Sequence, residues 1–223
     1  MYPIAQFEQV FRSGGKDIRL DCFVPDTDSQ RFPAVISLHG SGGGFATMAE
    51  PAGQLAGQGF AVYVLHYFDR TATTHADKAT IFRNFPLWMK TLWDAVSHVE
   101  QQAAVDSDRI ALLGFSLGAY LSLSSATIDT RVKAVVDFFG GLPKEMKLFM
   151  RRIPPVLILH GEADPTVPVE EAYHLQQLLE KRGTPYEMQI YAGIGHDFSG
   201  EIWRDACLRC LAFLNRHLAT ETA

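Results

Sequence analysis

Short, continuously apolar runs separated by helix-length segments set the tightest limit on what this chain can fold into. Ala34–Leu38, Phe60–Leu65, Ile110–Leu113, Ala134–Phe138 and Val156–Leu159 are strand-length runs with almost no polar alternation. A strand with one wet face alternates; a continuously apolar strand is covered on both faces. Between these runs lie an alanine-rich segment from Met48 to Gln58 ending at Gly59, then Leu87–Gln102, Ala119–Ala126 and Val169–Lys181. In Leu87–Gln102 the residues Leu87, Thr91, Ala95 and Val99 fall on one helical face. A strand at Tyr186–Tyr191 and a helix from about Glu201 to Leu218 close the order. Right-handed crossovers then predict an α/β fold, a doubly wound, mostly parallel sheet with helices on both faces. Such sheets place their chemistry outside the carboxyl ends of the strands. Ahead of this pattern, Phe7–Arg12 and Ile18–Val24 flank Ser13-Gly14-Gly15-Lys16 and read as a hairpin. Residues 66–84 are polar and read as a long loop over one end of the sheet.

The chain has 223 residues, 47% hydrophobic and 20% charged, with neither repeat nor linker, so one domain spanning 1–223 is expected. A net charge of -5 with no Lys/Arg cluster gives no reason to expect a nucleic-acid partner. No apolar stretch approaches the ~20 residues that span a bilayer, so no membrane partner is expected. Met1–Glu8 lacks the basic start and apolar run of a signal peptide, and a cytoplasmic protein is the expectation. Cys22, Cys207 and Cys210 are a poor disulfide framework. The Cys207–Cys210 pair sits in a helical pattern, where i and i+3 share a face, and reads as two packed small residues. His75 and Asp77 have no third ligand at a fitting spacing and read as solvated loop residues. Neither a metal nor an organic cofactor is expected.

Gly114-Phe115-Ser116-Leu117-Gly118 carries the chemistry. A serine on a sharp strand-to-helix turn needs small neighbours, and the turn lifts its hydroxyl toward the N-terminal amides of the following helix. The pattern alone recurs by chance in roughly one chain in fourteen of this length; the apolar strand before it and the helix pattern after it make it specific. Asp164 follows the strand Val156–Leu159, and His196 follows the strand Tyr186–Tyr191. The order Ser116, Asp164, His196 is that of α/β-hydrolases. The chemistry requires all three types: the imidazole takes the serine proton during attack, and the carboxylate fixes its tautomer and stabilises the imidazolium. His39-Gly40-Ser41-Gly42-Gly43-Gly44 can point unobstructed amides at a carbonyl oxygen. The amide of Leu117 with that of Ser41 or Gly42 would form an oxyanion hole. Tyr67, Phe68 and Arg70 follow a strand at its carboxyl end and are expected around the substrate, as is Phe115.

These segments resemble the dienelactone hydrolase family within the α/β-hydrolases. The resemblance rests on His39–Gly43, Gly114–Tyr120, His160–Pro168 and Gly195–Phe198 and runs over most of the chain. It implies a mixed sheet of about eight strands, an early strand antiparallel, and a Ser116-His196-Asp164 triad; no insertion between the strands is long enough for a large cap domain, and none is expected. The enzymes that give the family its name carry cysteine where this chain has Ser116. That difference favours a general serine carboxylesterase acting on small esters or lactones, with a short acyl chain. Two rival expectations are a small serine peptidase or acyl-peptide hydrolase and an inactive hydrolase-fold binding protein.

Overall fold

A computed structural model describes residues 1–27, 30–146, 150 and 152–218. One eight-stranded sheet organises them, in the spatial order β1-β2-β4-β3-β5-β6-β7-β8. The strands are β1 (Ile4–Ser13), β2 (Lys16–Pro25), β3 (Phe32–Leu38), β4 (Ala61–Leu65), β5 (Val105–Phe115), β6 (Val132–Phe138), β7 (Val156–Gly161) and β8 (Tyr186–Tyr191). β1 and β2 form an antiparallel hairpin, β2 pairs antiparallel with β4, and every later pairing is parallel. The hairpin turns on Gly14 and Gly15 at φ 50° and 81°. Two successive positive φ values suit the twist of a two-residue hairpin, and glycine adopts them without penalty.

Helices cover both faces, as the unbroken apolar strands require. On one face lie α2 (Lys78–Val99), α3 (Leu117–Ala126) and α4 (Glu170–Arg182). There Trp88, Leu92 and Val96 of α2 pack with Leu121, Leu175 and Leu179 against Ile36, Leu112 and Val135 of the sheet. On the other lie α1 (Ala49–Gly57) and α5 (Gly200–Leu218), whose Ala52, Ala56, Cys210 and Phe213 pack with Val35, Val62, Ala111 and Leu157. Neighbouring strand residues such as Ala111 and Leu112 point to opposite faces, so both must be apolar.

The helix predicted from Leu87 begins nine residues earlier, and the polar stretch 66–84 is partly helix. Asp77 caps it, its side chain accepting from the Thr80 amide at 2.8 Å. In its first turns Ile81 and Phe85 pack half-buried against the core while Phe82 is exposed, so the apolar stripe there is broken by an apolar residue on the wrong face. Pro86 lies inside the helix, where sequence rules place a boundary. β5 also starts before its apolar run, through Asp106, Ser107 and Asp108, where its pairing with β3 is shifted in register. Among the described residues no helix is long and apolar enough to cross a membrane.

Candidate active site

Ser116 stands between β5 and α3 at φ 52° and ψ -116°. A non-glycine residue held at positive φ is strained by about 1–3 kcal/mol and persists only where its surroundings fix it. Here the Ser116 amide donates to Phe138 O at 2.9 Å, tying the turn to the end of β6. The flanking glycines are steric necessities. A Cβ on Gly114 would lie 2.3 Å from Gly118 O, and one on Gly118 would lie 2.3 Å from Leu38 O and 2.6 Å from His39 O. The exit of β3 therefore crosses directly over the start of α3. That crossing brings Gly40 beside the serine, where an added Cβ would sit 3.5 Å from Ser116 Cβ.

The amide of Leu117 opens α3, and none of the described hydrogen bonds uses the amides of Leu117, Ser41 or Gly42. The turn that carries Ser41 and Gly42 is fixed by its other groups: Gly43 N donates to Gly40 O and Ala76 N donates to Ser41 O. Beneath it, the Tyr67 hydroxyl donates to His39 O at 2.8 Å, and the two rings stack with centroids 4.2 Å apart. Burial pushes the Tyr67 phenol well above its ordinary pKa, so it remains a donor. Burial likewise lowers His39 to about 4, which keeps its imidazole neutral.

Asp164 and His196 meet because their loops pack on each other at the ends of β7 and β8. Ala163 N donates to Ile194 O, and Glu162 N donates to Tyr191 O. Gly161 permits the approach: a Cβ there would lie 2.3 Å from both Ile194 O and Gly195 O. His196 Nδ1 donates to Asp164 Oδ2 at 2.6 Å, and the carboxylate side chain is fully buried. Oδ1 accepts from the amides of Thr166 and Val167 at 2.8 and 2.9 Å. The carboxylate is thus satisfied on both oxygens, and the proton on Nδ1 leaves the Nε2 lone pair of His196 free to accept. The Phe139 ring, 4.8 Å from the imidazole, backs it from the end of β6. Ser116 Oγ makes no hydrogen bond to His196 in this structure.

Reading the sequence assigned no role to another buried histidine beside the site. His160 at the end of β7 donates from Nε2 to Val167 O at 2.9 Å and lies 3.5 Å from Asp164 Oδ2. Desolvation lowers its pKa, so it stays neutral and holds the loop that supplies the Asp164 amides. Its signal was its position four residues before Asp164, at the end of an apolar strand.

A cleft of about 1200 Å³ opens beside these groups, lined by His39, Gly40, Phe115, Phe139 and His196. Of the four residues expected around the substrate, Phe115 lines it. The others do not: Tyr67 and Phe68 are buried on the opposite face of the sheet with Trp88, and Arg70 donates to Ser13 O at 2.5 Å, at the β1–β2 turn. Their strand does end on the active side of the sheet, but β4 lies two strands from β5, and the short 3-10 turn Tyr67–Thr71 folds away from it. Cys207 and Cys210 are free thiols on α5 and line the cleft wall.

Similar proteins place this geometry. A Bradyrhizobium protein named "Probable 2-oxo-3-(5-oxofuran-2-ylidene)propanoate lactonase" is 29% identical over 128 residues, 53% of this chain and 51% of its own. The esterase YpfH of Escherichia coli is 27% identical over 149 residues, 66% of this chain and 60% of its own. The chain thus spans about half the length of the first of these relatives. Among solved structures, the carboxylesterase EstE1 from a metagenomic library superimposes with a TM-score of 0.78 over 99% of this chain and 92% of its own, at 21% identity, and shares the fold. The family model for dienelactone hydrolases matches residues 20–205, a stretch that holds the serine turn, Asp164 and His196. On that match, the chain belongs to the dienelactone hydrolase family.

Proposed function

We propose that this protein is a serine hydrolase that cleaves carboxylic esters or lactones through an acyl-enzyme on Ser116. The observation that carries the reading is the 2.6 Å bond from His196 Nδ1 to the buried, amide-held Asp164, at the cleft next to the strained Ser116 turn. Ser116 Oγ attacks the ester carbonyl while His196 Nε2 takes its proton; such a bond commonly closes only in the substrate complex. The amides of Leu117 and of Ser41 or Gly42 receive the oxyanion, each donor worth ~3 kcal/mol in the transition state. The tetrahedral intermediate collapses, and the leaving oxygen takes the proton from His196. Water then attacks the acyl-enzyme with His196 as base and releases the acid. Every proton is passed between groups of this chain, the substrate and water.

The test combines a fluorophosphonate probe with p-nitrophenyl acetate. Wild type should be labelled and active, and Ser116→Ala should be neither. Labelling that survives Ser116→Ala overturns the reading. A protein that labels at Ser116 but turns over only peptides is a peptidase, and one that neither labels nor turns over is a binding protein.

A further inference from the structure

The cleft does not end at the reacting groups. α1 lies over β2 and β4, and α5 lies over β5, β6 and β7. β3 runs between them in the sheet, and the cleft follows it. Its floor is Ser37 of β3 with Leu113 and Phe115 of β5, and Ala52 and Cys207 stand on opposite walls. The helices both start at the active end of the sheet and run back from it. Met48 and Trp203 therefore lie near the mouth, and Leu55 and Leu211 lie deeper. Polar lining residues such as Glu50, Asp197 and Arg204 are exposed, at the rim.

We infer, building on the esterase reading, that this slot holds the acyl chain of the substrate, and that the chain is linear, apolar and of medium length. The walls give the length. Trp203 and Leu211 of α5, both half-buried and lining the cleft, are eight residues apart, about 12 Å at ~1.5 Å per residue. An extended alkyl chain with ~1.5 Å bonds advances about 1.3 Å per carbon, so the slot takes roughly nine carbons, and roughly ten to twelve with those that lead from Ser116 to the mouth. The expectation of a short acyl chain came from the absence of a cap over the site; the slot is built between the helices under the site instead. The acyl half is assigned to it because the leaving group and the incoming water must both be reached by His196 Nε2, and water has to approach from the open side. The half that stays attached to Ser116 between those steps is the one with a fixed route into the slot.

The experiment is a chain-length series of p-nitrophenyl esters from acetate to hexadecanoate, with acetate esters of alcohols of increasing length as the second arm. kcat/KM should rise at least about tenfold from acetate to decanoate, against a ceiling of about fourfold per methylene for full burial, and level off near twelve carbons. Ala52→Phe and Cys207→Phe, placed on opposite walls, should each lower the decanoate-to-acetate ratio about tenfold and shift the optimum to shorter chains. Leu211→Trp should cut it only beyond eight carbons or so, being about one helical turn deeper (~5.4 Å). Tyr173→Ala, exposed on α4, should leave the ratio unchanged. A series flat or falling from acetate to decanoate overturns the inference and leaves the esterase reading standing. A gain that follows alcohol length instead also overturns it. If no ester of the series is hydrolysed the esterase reading fails on its own, and calorimetry of decanoate with Ser116→Ala still tests the slot: saturable binding weakened by Ala52→Phe supports it, and no binding overturns it.

Discussion

Two single residues illustrate how the site constrains its surroundings. Gly118 is the point where β3 and α3 touch, and a methyl group there meets main-chain carbonyls that cannot swing aside. Gly118→Ala should therefore destabilise the fold by about 1–3 kcal/mol, the usual range for overpacking, and should cost activity even in the folded fraction because it displaces the Leu117 amide. Thermal unfolding with turnover per probe-labelled site separates the two effects. Asp137 is the other residue. It is fully buried at the end of β6, accepts from the Gly140 amide at 2.8 Å through one oxygen, and leaves the other without a partner. Burial pushes its pKa from the ordinary 3.8 up to about 7. Between those values the folded protein holds a proton that the unfolded chain has released, so stability falls as pH rises through that window. The slope is ~1.4 kcal/mol per unit. Asp137→Asn cannot ionise and escapes this loss. Its stability relative to wild type should improve by ~3 kcal/mol between pH 5 and pH 8, measured by urea unfolding, and a difference that stays constant with pH refutes the buried charge as the cause.

At the scale of elements, what could be read in advance was what periodicity and strand ends carry. The strands β3 to β7 were legible because burial on both faces leaves their central runs continuously apolar; β8, at the sheet edge and only half-buried, was legible from its place after a helix. The positions of Ser116, Asp164 and His196 at strand ends were legible because each follows one of these strands. The start of α2 was not, because its short stripe of Ile81 and Phe85 is only half-buried, Phe82 beside it is exposed, and Pro86 follows. The pocket residues after β4 were misplaced for a related reason: a strand's end fixes which side of the sheet its loop lies on, but not how far across the sheet it sits or which way the next turn folds. Tyr67 turns out to act on the site from below. The short turn Tyr67–Thr71 delivers its hydroxyl to His39 O, and so holds the exit of β3 from which Ser41 and Gly42 hang. Tyr67→Phe should cost about 1 kcal/mol of stability. On the proposed mechanism Tyr67 is a positioning residue, and Tyr67→Phe should lower kcat several-fold with little change in KM, because the loop's amides would matter most when the oxyanion forms. An equal loss at all steps, or a kcat unchanged within error, assigns it to packing alone.

For the whole molecule, the sheet is unevenly joined. β1 and β2 pair along ten residues each, from Ile4↔Pro25 to Ser13↔Lys16, whereas β2 meets β4 only from Leu20 to Phe23. The hairpin is joined to the rest of the sheet by four residue pairs, as few as join β7 to β6, and side chains reinforce the join. Asp69, in the turn after β4, accepts from Arg19 of β2 through both oxygens, at 2.9 Å to Nε and 2.9 Å to Nη2, and also from its amide at 3.1 Å. Burial opposes ionisation of Asp69, but the Arg19 bonds outweigh it and hold the carboxyl below its ordinary range. With a depressed folded value, the pair contributes above the unfolded pKa and is lost as pH falls through the folded one. Both side chains are partly solvated, so the pair itself is worth on the order of 1 kcal/mol. Local opening free energies of this size are visible to hydrogen exchange. Asp69→Ala should raise exchange about fivefold at neutral pH in the amides of β1 and β2, with those of β5 and β6 unmoved, because the catalytic strands are joined through pairings that the substitution does not touch. Acceleration spread evenly over the sheet would mean that the hairpin opens only with the rest of the molecule.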